Sequence, residues 1–591
     1  MFSYIFMKIL ESRPERYDTG INFLSGGHAS KLRKKIVRDF VKPGMKILDI
    51  GCGTGLLLES AAKAGAIAKG IDISEGMLEV ARKRISKSGL QDKISVYNAG
   101  AVEADALFDE GSFDLIVSTL VFSELYREER ALVLLQIKKL LKPGGKLVLA
   151  VETQPRSFLK RIAHFLVRLP LAVITYLIAQ TGTKPLKNLP EEMEKAGFSI
   201  INEERSFFDS FIVLTASIPK NAAHEQDNLP EVGKPEDDFS VVQSVWDFIG
   251  RWFPNPVEPG LRAIGTPGRN APVILTSNFH LTVRRVEKSL KDENVFLLVA
   301  PSNGINVWCA SEGGDLNTHS VITAIKTSRL NERVDHDKII LPQFSASGID
   351  LKLLKTETGR TGHFGPAYSK HIPAFLKDHR TVFENNKAVF SLPFRLEMLL
   401  SMNFIIWFAL AVVTLIVAPA KVMPVTLYFW LNGLILYAGF PLIPGKSGWL
   451  KAALFSAIEI IAIGLYSAFA LNIPALALWK LMLGLSAINL MLGFDLKGIV
   501  AGYPSEAEWL MKKLGMKSFG HIFSAEKQGE GKIWQDVGKC TDCRICLMVC
   551  PKGVFDVVGE KSIRITNRQE CFACNACVTQ CPEDALSLVN D

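Results

Sequence analysis

The chain has 591 residues, 48% apolar and 22% charged, with a formal net charge of +8 at pH 7. That length is enough for roughly three to five domains, and so modest a charge, spread along the chain, argues against a nucleic-acid partner. A mean hydropathy of +0.19 beside so many charged residues requires one concentrated apolar block rather than a uniformly greasy protein.

In chain order, Met1–Leu10 is apolar but lacks a basic start and a small-residue cleavage site, so no signal peptide is expected. Lys46-Ile-Leu-Asp49-Ile-Gly51-Cys52-Gly53-Thr-Gly55 predicts a short strand running into a glycine turn, followed by a helix over Leu56–Ala64. Glycines at the C-terminal end of a first strand let a ligand approach the backbone. A second strand, Ala66–Ile71, ends in Asp72, where a carboxylate can meet ribose hydroxyls. Further signals are Ser74-x-x-Met77-Leu78 opening a helix, Ser112-Phe113-Asp114 before strand Leu115–Ser118, and Lys142-Pro143-Gly144-Gly145-Lys146 before strand Leu147–Val151. Residues 1–218 therefore read as an α/β Rossmann-like domain; Cys52 reads as a structural loop residue. Phe158–Ile178 is apolar with Lys160, Arg161 and Arg168 interspersed, which suits a cap over the site in preference to an interfacial helix.

Residues 219–239 are polar and acidic and read as a linker. Residues 240–395 alternate strands (Pro272–Thr276, Val295–Val299, Lys338–Leu341) with helical stretches, a second Rossmann-like α/β pattern. Cys309 lies alone there, beside Trp308, and on spacing alone reads as a buried core residue. Within 396–496, Met398–Ala420, Val422–Gly445, Ala452–Leu471 and Ile473–Phe494 are each long enough to cross a bilayer. Four spans, an all-α membrane domain, keep both soluble ends on one side. They place Arg395, Lys446, Lys451, Lys497, Lys512 and Lys513 inside and only Lys421 outside, as the positive-inside rule requires. The expected location is therefore a multi-pass protein of the cell membrane with its soluble domains facing the cytoplasm. Glu459 and Lys480 fall within spans, where charge is costly; they either pair across the helices, or Lys480 snorkels and Glu459 is protonated.

After a connector over 497–532, residues 533–591 hold eight of the ten cysteines. Cys540, Cys543, Cys546 and Cys550-Pro551, then Cys571, Cys574, Cys577 and Cys581-Pro582, repeat the bacterial ferredoxin run C-x2-C-x2-C-x3-C-P. This excludes a disulfide scaffold and predicts an α+β domain with two [4Fe–4S] clusters in a reducing compartment. The fourth cysteine of each run ligates the other cluster. One cluster then takes Cys540, Cys543, Cys546 and Cys581, the other Cys571, Cys574, Cys577 and Cys550. No internal repeat other than this duplication is evident.

Over about residues 15–218 these motifs resemble class I S-adenosylmethionine (SAM) methyltransferases, with NAD binding as the alternative for the glycine loop. The resemblance assigns Asp49, Gly51, Gly53 and Gly55 to the methionine end of SAM and Asp72 to its ribose. It departs at the third strand, where Gly100-Ala101-Val102-Glu103 replaces the family's Gly-Asp adenine contact. From about Trp246 onward, Asn306-Val-Trp308-Cys309-Ala, with Thr276-Ser-Asn278 and Gly365-Pro366-Ala367, resembles the corrinoid domain of the mercury-methylation protein HgcA and the large subunit of the corrinoid iron–sulfur protein. HgcA also carries a membrane domain, and its partner HgcB is a two-cluster ferredoxin, so residues 240–591 resemble a fused HgcA–HgcB protein.

That resemblance implies a cobalamin-type corrinoid held by Thr276, Asn278, Asn306, Trp308 and Gly365, with the Cys309 thiolate as lower axial ligand and catalytic residue. It implies methyl transfer from SAM to the corrinoid and on to a small-molecule or metal-ion acceptor such as Hg(II). The clusters supply Co(I), an external low-potential donor feeds them, and the setting is that of an anaerobe. Two departures bear on mercury: Ser311-Glu312-Gly313 stands where the family has Ala/Gly-Gly-Lys, and Leu586–Asp591 lacks the C-terminal cysteines of HgcB. The alternative is a membrane-bound electron-transfer or corrinoid-reducing protein whose methyltransferase domain acts independently.

Overall fold

The computed structural model describes residues 18–19, 22, 28–166, 185–206, 209–219, 229–235, 241–249, 254–378, 387–389, 391–444, 447–470, 478–493, 532–571 and 573–589. The connector 497–532 lies outside these residues except at Lys532, as do residues 167–178 of the apolar stretch Phe158–Ile178.

The N-terminal sheet has seven strands: β1 Lys46–Ile50, β2 Ile67–Asp72, β3 Ile94–Asn98, β4 Phe113–Thr119, β5 Leu141–Glu152, β6 Ser199–Ser206 and β7 Phe211–Ser217. Their order is β3-β2-β1-β4-β5-β7-β6. The first five are parallel, while β7 runs antiparallel to both β5 and β6. Parallel strands buried on both faces need continuous apolar runs, and β1 and β4 supply them with Leu48, Ile50, Ile116 and Val117 at or below 1% exposure. Chain order reverses at β1, which pairs with β2 on one side and β4 on the other; such a reversal opens a crevice at the strands' carboxyl ends. The sequence places the last parallel strand after Lys142–Lys146; in the structure those residues are already part of β5.

A second sheet holds β8 Gly260–Ile264, β9 Val273–Ser277, β10 Val295–Ala300, β11 Lys338–Leu341 and β12 Thr361–Phe364, in the order β12-β11-β9-β10-β8. Only β8 is antiparallel. The predicted linker is not free throughout: the Gly233 N–H donates to Leu261 O, and the Ala263 N–H donates to Gly233 O, adding a bridge at the β8 edge.

Among the described residues, Pro419–Gly439 and Gly448–Phe469 are long and apolar enough to cross a bilayer. Helix Leu392–Val417 bends by 42° between Leu392–Ser401 and Ile406–Val417, and Trp479–Gly493 is a shorter apolar helix. Glu459 does not take Lys480 as its partner. Its Oε2 accepts hydrogen bonds from Tyr428 Oη at 2.7 Å and Asn489 Nδ2 at 2.5 Å, while Lys480 Nζ lies 5.6 Å from the Trp479 ring centroid. Phe158, Leu159, Phe165 and Leu166, on helix 158–166, are exposed, and the rest of the expected cap lies outside the described residues.

The C-terminal domain pairs β13 Lys532–Gln535 with β16 Leu586–Val589, and β14 Phe555–Val558 with β15 Ser562–Ile565. Two short helices, Ile545–Val549 and Ala576–Thr579, carry cysteines. This domain returns to the second sheet: the Gln343 amide donates to Met548 O at 2.7 Å, and the Gln580 amide donates to Ala346 O at 2.8 Å and to Ile349 O.

Candidate functional sites

The first site is the crevice at β1. Gly51 and Gly53 both have positive φ, +77° and +52°. A Cβ on Gly51 would stand 1.9 Å from Val121 Cγ2, whereas a Cβ on Gly53 would meet nothing within 4 Å. Gly51 is thus required for packing, and Gly53 leaves backbone open to a ligand. Asp72 closes the loop: Oδ2 accepts the Gly53 N–H and Oδ1 the Ser74 N–H, each at 2.8 Å. A carboxylate has about four lone-pair sites, so Asp72 can brace the loop and still accept from a hydroxyl. Asp49 is buried on β1, with Oδ1 lacking a partner among the described residues. Its carboxyl is pushed up to about 7, first by burial and then by the charge of Asp72. An unsatisfied buried carboxylate oxygen beside an open glycine fits a cationic amino-acid ligand such as SAM. Cys52 is buried in the loop, as the sequence implies.

The second site is the loop and helix after β10. Asn306 caps helix Val307–Gly313, its Oδ1 accepting the Cys309 N–H at 3.0 Å. Trp308 packs edge-to-face on Phe344, with centroids 5.4 Å apart. Asn278 is fully buried and both ends of its amide are engaged. Oδ1 accepts from the Ser302 N–H and hydroxyl and the Gly304 N–H; Nδ2 donates to Val257 O and to Tyr126 Oη of the first domain. It brackets the turn that launches the Cys309 helix. Thr276 is buried on β9, and Gly365, just after β12, has no room for a Cβ against Ile340. Cys309 is half-buried, and the buried hydroxyls of Ser277, Ser311 and Ser347 have no partner among the described residues. A soft thiol on the same short helix as the unsatisfied Ser311 hydroxyl suits a soft metal centre.

The third site is the cysteine-rich domain. Cys540, Cys543, Cys546 and Cys581 line one cavity, the set expected for the first cluster. Cys550, Cys571, Cys574 and Cys577 form the other group, whose charges act on one another. Burial, then Cys543, pushes the Cys546 thiol up to about 12; bound iron reverses such a shift by holding the thiolate. The halves share a backbone device. Asp542 and Arg544 flank Cys543, Ala573 and Asn575 flank Cys574, and all four have positive φ. Amides four residues on, Val554 N–H and Ala585 N–H, donate to Cys550 Sγ and Cys581 Sγ. Among the described residues no three Cys, His, Asp or Glu side chains converge on a single ion; a four-iron cubane needs a wider ring of thiolates.

The second cysteine group lies against the Cys309 site. Val549 and Ala576 belong to the apolar cluster that contains Ala310 and Ala346, and Cys309, Cys574 and Cys577 pack onto that cluster. Glu312, 3% exposed, acts through its charge on Cys574, whose thiol is raised first by burial and then by Glu312. The sequence offers no sign of this seat, nor of His319, which reaches from helix Thr318–Thr327 to Glu103 and Asn98 of the first domain. These partners lie in different domains, and a single Gln or His leaves no periodic signal.

Three parts of the chain match known families: residues 47–145 a methyltransferase domain, 251–376 the CO dehydrogenase/acetyl-CoA synthase delta subunit, and 539–586 a 4Fe-4S dicluster domain. A demethylmenaquinone methyltransferase from Symbiobacterium thermophilum is 31% identical over 30% of this chain and 70% of its own length. The acetyl-CoA decarbonylase/synthase complex subunit gamma of Methanocaldococcus jannaschii is 36% identical over 21% of this chain, which spans only 26% of that subunit. A solved SAM-dependent methyltransferase from Aquifex aeolicus overlays 31% of this chain and 88% of its own, at 19% identity and a TM-score of 0.24. Through its N-terminal domain the chain belongs to the SAM-dependent methyltransferases, and it carries behind that domain a corrinoid-protein-like domain and a 4Fe–4S dicluster domain.

Proposed function

We propose that the chain is a membrane-anchored, corrinoid-dependent methyltransferase of the fused HgcA–HgcB type that moves a methyl group from SAM to a soft acceptor such as Hg(II). The observation that carries this reading is the seat of the dicluster domain, with Cys574 and Cys577 packed on the same apolar cluster as Cys309. Asp49 and the loop Gly51–Gly55 hold the methionine end of SAM, and Asp72 its ribose. The Cys309 thiolate would hold the cobalt of a bound corrinoid, its helix fixed by the Asn306 cap. Thr276, Asn278, Trp308 and Gly365 shape the floor of that site. A corrinoid supplies a cobalt centre that takes methyl groups in its lowest oxidation state, and a thiolate donor enriches such a metal in electron density. Two [4Fe–4S] clusters supply electrons near −400 mV. Cys571, Cys574, Cys577 and Cys550 would hold the cluster on the Cys309 side, since Cys574 and Cys577 share an apolar cluster with Cys309, while exposed Cys543 would mark the entry side for an external donor. Four spans, Met398–Ala420, Val422–Gly445, Ala452–Leu471 and Ile473–Phe494, would keep the soluble domains together on the cytoplasmic side, as the distribution of lysine and arginine around them supports.

The test is anaerobic reconstitution with cobalamin, a low-potential reductant and methyl-labelled SAM, with Cys309→Ala in parallel. Bound cobalamin whose optical spectrum changes in Cys309→Ala, with label leaving SAM only when the corrinoid is present, is the expected result. Label leaving SAM equally without corrinoid overturns the reading in favour of an independently acting methyltransferase joined to an electron-transfer module.

A further inference from the structure

We infer that the SAM site is completed across the domain boundary by His319 of the corrinoid-protein-like domain, so that SAM binding and docking of the two domains strengthen one another. The inference rests on the SAM reading of the β1 crevice and goes beyond it by assigning a residue from another domain to that site.

The hydrogen bonds form a continuous path. Asp72 fixes Gly53 through its Oδ2. The backbone of Asp72 and Ile73 is in turn held by Asn98, whose Nδ2 donates to both carbonyls at 3.2 Å. The Asn98 amide nitrogen is therefore spent, and its Oδ1 is the atom that meets His319 Nε2, at 3.2 Å. The other ring nitrogen, Nδ1, lies 2.7 Å from Glu103 Oε2, which also accepts the Gly100 N–H at 2.6 Å. The ring spans the two groups, Nδ1 facing Glu103 Oε2 and Nε2 facing Asn98 Oδ1. It ties the end of β3 to the turn beyond it, where Gly100–Glu103 departs from the usual methyltransferase pattern. The contact is sheltered: the side chains are 13% and 5% exposed. A charge-assisted hydrogen bond there is stronger than a surface ion pair. Two helical turns further on, Lys326 Nζ lies 3.1 Å from both Val102 O and Asp105 Oδ1. One face of helix Thr318–Thr327 thus lies along the loop after β3.

His319 touches the groups that shape the site rather than a substrate, so it is a positioning residue. With the domains apart, Asn98 and Glu103 lose their His319 partner and the hold on Asp72 and Ile73 loosens. Whatever SAM gains from that hold, docking gains from SAM, because coupling between two binding events is reciprocal.

The experiment uses the full chain in detergent with S-adenosylhomocysteine, which binds without reacting. Affinity is measured by calorimetry for the wild type, His319→Ala and His319→Gln, with hydrogen exchange followed over Thr318–Thr327. His319→Ala should weaken binding by at least about 5-fold, the lower end of typical coupling, and His319→Gln should recover part of the loss through its amide. S-adenosylhomocysteine should slow exchange over Thr318–Thr327 in the wild type and not in His319→Ala. Equal affinity in all three proteins, or exchange in that helix indifferent to ligand, overturns the linkage while leaving the SAM site in place. A wild-type chain that binds no S-adenosylhomocysteine overturns the SAM reading itself, and the linkage with it.

Discussion

Gly51 and Gly53 stand two residues apart in one loop, yet alanine at each should fail differently. At Gly53, φ is +52° and an added Cβ meets no atom within 4 Å. The cost to folding is that of an L-residue in the left-handed region, about 1–2 kcal/mol, partly offset by about 0.4–1 kcal/mol from the stiffer unfolded chain. Gly53→Ala should therefore fold, with its methyl group occupying the space through which a ligand reaches the backbone. At Gly51 the same backbone cost is joined by a Cβ placed 1.9 Å from Val121 Cγ2. Overpacking adds about 1–3 kcal/mol, a large share of the roughly 5–15 kcal/mol that holds a domain together. Calorimetry with S-adenosylhomocysteine and hydrogen exchange over β1 and helix Leu56–Lys63 separate the two effects. Gly53→Ala should lose at least tenfold in affinity, about 1.4 kcal/mol, with near-native exchange. Gly51→Ala should exchange faster throughout that segment. Wild-type affinity in Gly53→Ala would refute the loop as the ligand's seat, and equal exchange in both variants would refute the argument from Val121.

Asp49 gives a pH signature. Its folded value of about 7 lies above the unfolded value near 3.9, so the folded state holds a proton that the unfolded state has lost between those limits. Its contribution is greatest below pH ~4 and is lost as pH rises to 7. Asp49→Asn should therefore gain stability over the wild type as pH rises, by on the order of a few kcal/mol at pH 8, while binding S-adenosylhomocysteine less tightly. A stability difference that stays constant from pH 5 to 8 in denaturant unfolding would exclude Asp49 as the titrating group. Gln580→Ala removes both amide bonds to Ala346 O and Ile349 O. It should cost about 1–3 kcal/mol of docking, seen as faster exchange over 343–352 with iron content unchanged; unchanged exchange would mean that other contacts hold the domain. Glu312→Gln should raise the reduction potential of the cluster that uses Cys574, because a buried negative charge nearby disfavours an added electron. A redox titration followed by electron paramagnetic resonance checks the sign.

What could be read from the sequence was whatever is written locally. The glycine loop, Asp72 and the two cysteine runs each place their chemistry within a few residues, and the structure sets Gly53 against Asp72 and gathers Cys540, Cys543, Cys546 and Cys581 around one cavity. Glu459 was harder, because Lys480 satisfies a charge-pairing argument in one dimension while Tyr428 and Asn489 satisfy it in three. The contacts between domains were not legible: His319 meets Glu103 across 216 positions and Gln580 meets Ala346 across 234. Such pairs depend on which surfaces meet, and neither periodicity nor spacing encodes that. Yet they give the chain order a meaning. The apolar helical block separates the middle domain from the dicluster domain in sequence, but the Ala388 N–H, just before helix Leu392–Val417, donates to Pro551 O at 2.8 Å. The chain therefore leaves for the apolar helices and comes back beside its point of departure. The first domain docks on helix Thr318–Thr327, and the dicluster domain docks on the residues around 343–352 and the Cys309 helix. The methyltransferase domain and the dicluster domain thus approach one middle domain from neighbouring elements, the first along helix Thr318–Thr327 and the second around 343–352, so both can be seated on it at once.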